Sequence, residues 1–85
     1  MNTDLMIKML NEISAFFAGE DDREQAARDI QNHVHKYWEP RMRTQLLEYF
    51  EQRQGAGLSE LALKAVELLA KEAPRPRPEA HLPHQ

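Results

Sequence analysis

Apolar residues recur along the chain at the three- and four-residue spacing of an amphipathic helix, in four separate segments. The first segment, from about Asp4 to Ala18, predicts a helix with Thr3 as its N-cap and with Gly19 in the left-handed conformation that ends many helices. At 100° per residue its apolar positions fall within an arc of about 140°. These positions are Leu5, Met6, Met9, Leu10, Ile13, Phe16 and Phe17.

The second and third segments meet at Pro40. The second begins at Asp21 or Asp22, where Asp21 followed by Glu24 approximates a capping box, and it ends before Pro40 because the residue preceding a proline disfavours the helical region. Proline is also favoured as a first helical residue, so Pro40 opens a third helix that runs to about Arg53. The predicted inward faces are Ala26, Ala27, Ile30, Val34, Tyr37 and Trp38, and then Met42, Leu46, Leu47, Tyr49 and Phe50.

A glycine-rich break at residues 55–57 precedes the fourth segment, for which Ser59 is a natural N-cap. Leu58 and Leu63 occupy the positions of a hydrophobic staple. The inward residues are Leu61, Ala65, Val66, Leu68 and Leu69. Two oppositely charged pairs lie four residues apart on the solvent side, Glu60 with Lys64 and Glu67 with Lys71. The fold class predicted is all-α, a small bundle of about four short helices.

The composition changes at Pro74, after which prolines alternate with charged residues. Such a segment does not pack a core, so we expect a disordered Pro/Arg-rich C-terminal tail over residues 74–85. The helical domain then comprises residues 3–73.

Composition and charge narrow the function. The 85 residues include no cysteine, which excludes disulfides and thiolate metal sites, and the net charge of −3 gives no general attraction to nucleic acid. No stretch approaches the roughly 20 consecutive apolar residues of a membrane span. Asp4 and Glu12 interrupt what a secretory signal would require. We therefore expect a cytoplasmic protein that binds neither membrane nor nucleic acid.

Catalytic and metal-binding patterns are lacking. Ser14 lies inside the first predicted helix, and Ser59 is explained as a cap. Gly19, Gly55 and Gly57 do not have the spacing of a phosphate-binding loop. His33 and His35 lie about 160° apart around a helix and cannot share one ion. The sequence predicts no catalytic, cofactor-binding or metal-binding residue in this chain.

The central sequence is the strongest candidate for a partner interface: Tyr37, Trp38, Glu39, Pro40, Arg41, Met42 and Arg43. Nucleic-acid binding is disfavoured because residues 3–73 hold nine basic and thirteen acidic side chains. Trp38 suits either a structural corner between two helices or an interface. The arginines favour an interface, since Tyr, Trp and Arg dominate binding hot spots. The alternative is an internal carboxylate, such as Glu39 or an acid of the second helix.

The same seven residues resemble the signature of the delta subunit of NAD-dependent, molybdenum-containing formate dehydrogenase. The resemblance covers about residues 3–70. It includes the spacing of Met9, Ile13, Phe16 and Phe17, the turn Asp21-Asp22-Arg23, His33, Leu46, Leu47, and Gly57-Leu58-Ser59 before a leucine-bearing last helix.

The resemblance implies a non-catalytic accessory subunit of a cytoplasmic hetero-oligomer that oxidises formate to carbon dioxide with NAD+. The molybdenum cofactor and iron–sulfur clusters would lie in the alpha subunit, and flavin and NAD in other subunits, with no cofactor in this chain. Its role would be to support assembly or stability by binding the alpha subunit. The alternative function is a free-standing helical protein–protein adaptor or regulator.

Overall fold

The structure is a computed structural model that describes residues 2–72, within which four helices and no strand occur. The helices are α1 (Thr3–Phe17), α2 (Arg23–Tyr37), α3 (Pro40–Arg53) and α4 (Glu60–Glu72). The predicted all-α bundle is confirmed, whereas the predicted disordered tail over residues 74–85 lies outside the described residues. None of the helices in the described part combines the length and the apolar character needed to cross a bilayer.

The cap of α1 lies one residue before the predicted one, and α2 is capped by the second of its two predicted start residues. Asn2, not Thr3, caps α1, because its Oδ1 accepts the N–H groups of Asp4 at 2.7 Å and Leu5 at 3.2 Å. Asparagine is the better cap of the two. Asp22, not Asp21, caps α2 by accepting the N–H groups of residues 24 and 25. The capping box predicted from Asp21 is therefore wrong.

The predicted left-handed end of α1 is also wrong. Gly19 is not among the residues with positive φ, and Ala18 has φ −68°. A tight turn ends the helix instead, since the Ala18 N–H donates to Ala15 O and the Glu20 N–H to Phe17 O, both at 3.2 Å. The left-handed conformation occurs after α3, at Gln54 with φ 56°.

Asn11 of α1 is hydrogen-bonded to the loop between α3 and α4. Its side-chain amide donates to Gly57 O at 2.9 Å, and its Oδ1 accepts the Ser59 N–H at 2.8 Å. Ser59 caps α4 as predicted, because its Oγ accepts the Ala62 N–H at 3.2 Å. The two Asn11 hydrogen bonds join residues that are far apart in sequence, and they position the start of α4 against α1.

The buried core is formed mainly by α2 and α4, with α1 and α3 packed against them. Its apolar members are Met6, Leu10, Ala26, Ala27, Ile30, Val34, Trp38, Leu46, Leu61, Ala62, Ala65, Val66 and Leu69. Three residues assigned to inward faces are exposed, which corrects the prediction: Leu5, Phe16 and Tyr37. On α1 the buried line instead includes Ser14, whose hydroxyl donates to Leu10 O at 2.8 Å.

The predicted ion pairs within α4 do not form in the described part of the chain. Glu60 instead meets Arg23 of α2, with 3.2 Å between Arg23 Nη2 and Glu60 Oε1. Exposed pairs within one helix contribute only a few tenths of a kcal/mol, so a contact between helices easily competes with them.

Candidate partner-binding surface

Trp38 lies in the core rather than on the surface. Its side chain is only 5% exposed and joins the buried residues of α2 and α4. Its backbone is already extended, with φ −88° and ψ 140°, so the chain leaves α2 here and turns toward Pro40. Of the two interpretations of Trp38, the structural corner agrees with this geometry.

Arg43 is also used inside the domain. Its Nη1 donates to Trp38 O at 2.7 Å and to His35 O at 3.1 Å, the carbonyls at the C-terminal end of α2. A cation placed there satisfies carbonyls that lack helical partners and interacts favourably with the helix dipole. Arg43 therefore has hydrogen-bond partners inside the domain, and its contact with a partner protein stays a prediction. Its internal partners are carbonyls rather than the carboxylates considered as the alternative.

We call residues 37–43, where α2 gives way to α3, the corner. Its remaining residues differ in exposure. Glu39, Pro40 and Arg41 are exposed, while Met42 is half-buried and packs against the core. Pro40 is the first residue of α3 as predicted, and Glu39 precedes it without a side-chain capping bond. Within residues 2–72 no ion pair involves Arg41. Arg41 thus stays a predicted contact residue.

Tyr37 belongs to a row of rings that runs from α2 onto α1. We call Phe16, Phe17, His33 and Tyr37 the aromatic row. The ring centroids of Phe16 and Phe17 are 5.2 Å apart, those of Phe17 and His33 are 6.2 Å apart, and those of His33 and Tyr37 are 4.9 Å apart. Phe16 is 82% exposed and Tyr37 is 66% exposed. The row is a continuous aromatic surface shared by two helices.

The pattern of apolar residues did not reveal this row, because it placed Phe16, Phe17 and Tyr37 on inward faces. From the sequence, His33 was a candidate metal ligand that its angle to His35 excluded, and it was part of a family resemblance. One feature of the sequence did indicate exposed apolar residues on α1. The apolar arc of α1 is wide for a helix in a small bundle, so part of it had to remain outside the core.

A cation stands at the α2 end of the aromatic row. Lys36 Nζ lies 5.6 Å from the centroid of the Tyr37 ring, within the range of a cation–π contact. The neighbouring His35 is held differently, since its Nδ1 lies 3.1 Å from Glu72 Oε2 of α4. Gln31 also donates to the Glu72 carboxylate, at 2.6 Å. This end of α2 is thereby fixed against α4.

Three surface cavities are lined by described residues, with volumes of about 280, 150 and 270 Å³. The smallest lies beside the corner, between α3 and α4, and is lined by Pro40, Arg43, Thr44, Leu47, Leu69 and Glu72. All three are below the usual size of small-molecule sites, which begins at about 300 Å³. Within residues 2–72 no three histidine, aspartate or glutamate residues are grouped to hold a metal ion.

Comparison with known proteins gave one family. The family model described as NADH-dependant formate dehydrogenase delta subunit FdsD matches residues 5–66. The matched region includes the whole corner from Tyr37 to Arg43 and all four members of the aromatic row. No curated protein and no solved structure matches the chain.

Proposed function

The chain belongs to the NADH-dependent formate dehydrogenase delta subunit family, and from this premise we propose that it is a non-catalytic accessory subunit of a cytoplasmic NAD-dependent formate dehydrogenase. In this proposal it binds the molybdenum-containing alpha subunit within a hetero-oligomer and supports assembly or stability of the complex. The observation that carries the proposal is the family match, which spans most of the chain.

The chemistry of the chain supports an accessory role. The proposed enzyme is the molybdenum-containing type, which uses a molybdenum cofactor, iron–sulfur clusters and flavin, and such clusters are normally held by cysteine thiolates. This chain has no cysteine. In the proposal all these cofactors, together with the NAD site, belong to the partner subunits, and this chain contributes contacts only.

The surface supports a contact role as well. The row exposes two large rings beside a lysine, and aromatic residues are enriched at the centres of protein interfaces. The corner residues fall into two groups, those that join the helices and those that are exposed. Trp38 and Arg43 hold α2 to α3, while Tyr37, Glu39, Pro40 and Arg41 remain on the surface to meet the partner.

Co-purification tests the proposal. The full chain carries an N-terminal affinity tag in cells that make the enzyme, and the captured proteins are identified by mass spectrometry. We expect the alpha subunit in a fixed ratio to the tagged chain, together with molybdenum, iron and formate-dependent NAD+ reduction. The chain purified alone should have neither the metals nor the activity. Recovery of the tagged chain without the enzyme, from cells containing active enzyme, contradicts the proposal and favours the adaptor.

Deletion of the chain tests the assembly role separately. Cells lacking it should yield less complete complex, with less molybdenum per alpha subunit, and re-expression of the chain should restore both. An unchanged yield and metal content would leave the chain a subunit but remove its role in assembly. Its presence in the mature complex, measured by native mass spectrometry, separates a permanent subunit from an assembly factor.

A further inference from the structure

The aromatic row leaves an unusual amount of ring surface in water. Phe16 is 82% exposed and Tyr37 is 66% exposed. At about 200 Å² for a large aromatic residue, these two fractions leave roughly 300 Å² exposed at the two ends of the row, with the half-buried Phe17 and His33 between them. That value reaches the size of the largest apolar patch on a typical monomer, and such patches rimmed by polar residues mark interaction sites.

The rings of the row are also pre-organised. Phe16 and Phe17 meet edge to face at an interplanar angle of 87°, and Phe17 meets His33 at 67°. The helices that carry them are anchored by fully buried residues, Leu10 on α1 and Ile30 and Val34 on α2. A partner that binds the row would therefore immobilise few additional side chains, which favours affinity.

The charge at one end of the row indicates the chemistry of its partner. Arg23, Arg28 and His35 each lie within ion-pair distance of a carboxylate. Lys36 does not among residues 2–72, and of the cations there without such a carboxylate it is the one that stands over a ring of the row, with its Nζ 5.6 Å from the Tyr37 centroid. A carboxylate on the partner would complement Lys36 just where the ring surface begins.

Resting on the proposed function, we propose that the aromatic row and Lys36 dock a segment of the alpha subunit that presents apolar side chains followed by a carboxylate. The apolar side chains cover Phe16 and Phe17, and the carboxylate approaches Lys36 beside Tyr37. The row supplies the apolar centre of the interface. At roughly 300 Å² it is smaller than the about 800 Å² that each partner buries in a standard interface, so the exposed corner residues extend it.

Dissociation of the labelled chain from the purified complex tests this docking. Tagged wild-type and variant chains are co-expressed with the other subunits, and the rate at which labelled chain leaves the immobilised complex is measured. We expect Phe16→Ala and Tyr37→Ala each to raise the rate about 10- to 30-fold, as for side chains at interface hot spots. Lys36→Glu should raise it about tenfold and should do so more at low salt than at high salt.

Two matched controls share the chemistry but lie away from the row. Leu5→Ala removes an apolar side chain that is 48% exposed on α1, about 16 Å along the helix axis from Phe16. Lys8→Glu reverses an exposed lysine on the same helix. Both controls should keep the wild-type dissociation rate. All variants should melt near the wild-type temperature, because none of the changed side chains is buried.

The outcomes separate this inference from the proposed function. A wild-type chain that is absent from the complex, and whose deletion leaves the yield and metal content of the enzyme unchanged, overturns both. A wild-type chain that is present, with row variants that dissociate at the wild-type rate, overturns the docking surface alone. Slower dissociation of both Lys36→Gln and Lys36→Glu, with Lys36→Glu the slower of the two, would show a basic partner segment and overturn the proposed carboxylate. Row variants that abolish dimers of the isolated chain but leave the complex intact would assign the row to self-association and overturn the proposal.

Discussion

Arg43 is the fourth residue of α3, yet its guanidinium reaches back to the last turn of α2. It donates to the carbonyls of residues 35 and 38, and so links two helices that meet at Pro40. A cation near a helix N-terminus is unfavourable by itself. Here the same charge stabilises the C-terminal end of the preceding helix, which explains why the position accepts arginine.

Replacement of Arg43 should therefore weaken the fold. Arg43→Ala removes two charge-assisted hydrogen bonds and is expected to lower the free energy of unfolding by about 1 to 2 kcal/mol. Arg41→Ala, two residues earlier and exposed, is the matched control and should change it by less than about 0.5 kcal/mol. Urea denaturation followed by circular dichroism measures both. Equal effects of the two substitutions would contradict this role for Arg43.

The three glycines are expected to differ in how well each tolerates replacement by alanine. A Cβ on Gly55 would press against Cδ1 at the end of the Leu63 side chain, and Gly55 has φ 79°, so Gly55→Ala adds a steric contact to backbone strain. Gly57 has φ 90° but only ordinary contacts, and Gly19 has neither a positive φ nor a neighbour within 4 Å.

We expect Gly55→Ala to destabilise by more than about 2 kcal/mol, and Gly57→Ala by about 1 to 2 kcal/mol. Gly19→Ala should be neutral or stabilising by up to about 1 kcal/mol. Thermal melting of the three variants gives the order. A destabilising Gly19→Ala equal to Gly57→Ala would show that Gly19 adopts the left-handed conformation after all.

At the scale of the element, the start of α2 depends on one of two adjacent aspartates. Glu20 accepts the Asp22 N–H at 3.1 Å, which holds residue 22 extended and places its carboxylate over the first turn. Asp22→Ala should cost about 1 kcal/mol, the usual loss for a removed cap. Asp21→Ala, with the same charge change, should cost less than half of that. Equal losses measured in urea would assign the effect to net charge rather than to capping.

The aromatic row is likewise a property of paired elements. Each ring lies on a helix whose apolar arc is wider than the face that its neighbours cover. On α1 the buried line passes through Met6, Leu10 and Ser14, so Phe16 falls outside the core although it is strongly apolar. An exposed phenylalanine with neighbouring rings on a second helix is a surface that neither helix forms alone.

At the scale of the whole molecule, the four helices are anchored unequally. Helices α2 and α4 carry most of the buried residues, whereas Leu46 is the fully buried residue of α3. Local opening follows the density of buried apolar contacts. We expect the amides of α3 to exchange with deuterium at least about tenfold faster than those in the middles of α2 and α4. Uniform protection across the four helices, measured by mass spectrometry on the isolated chain, would contradict this order.

The sequence by itself determined the helices, the proline junction and the family. These features depend on local rules: apolar spacing, the conformational limits around Pro40, the cap at Ser59 and the contiguous run from Tyr37 to Arg43. Interactions between helices decided the rest. The buried face of α1, the carbonyl partners of Arg43 and the aromatic row depend on how α1, α2 and α3 cross. Helical periodicity defines an arc of apolar residues, but only the packing of neighbouring helices decides which part of that arc is removed from water.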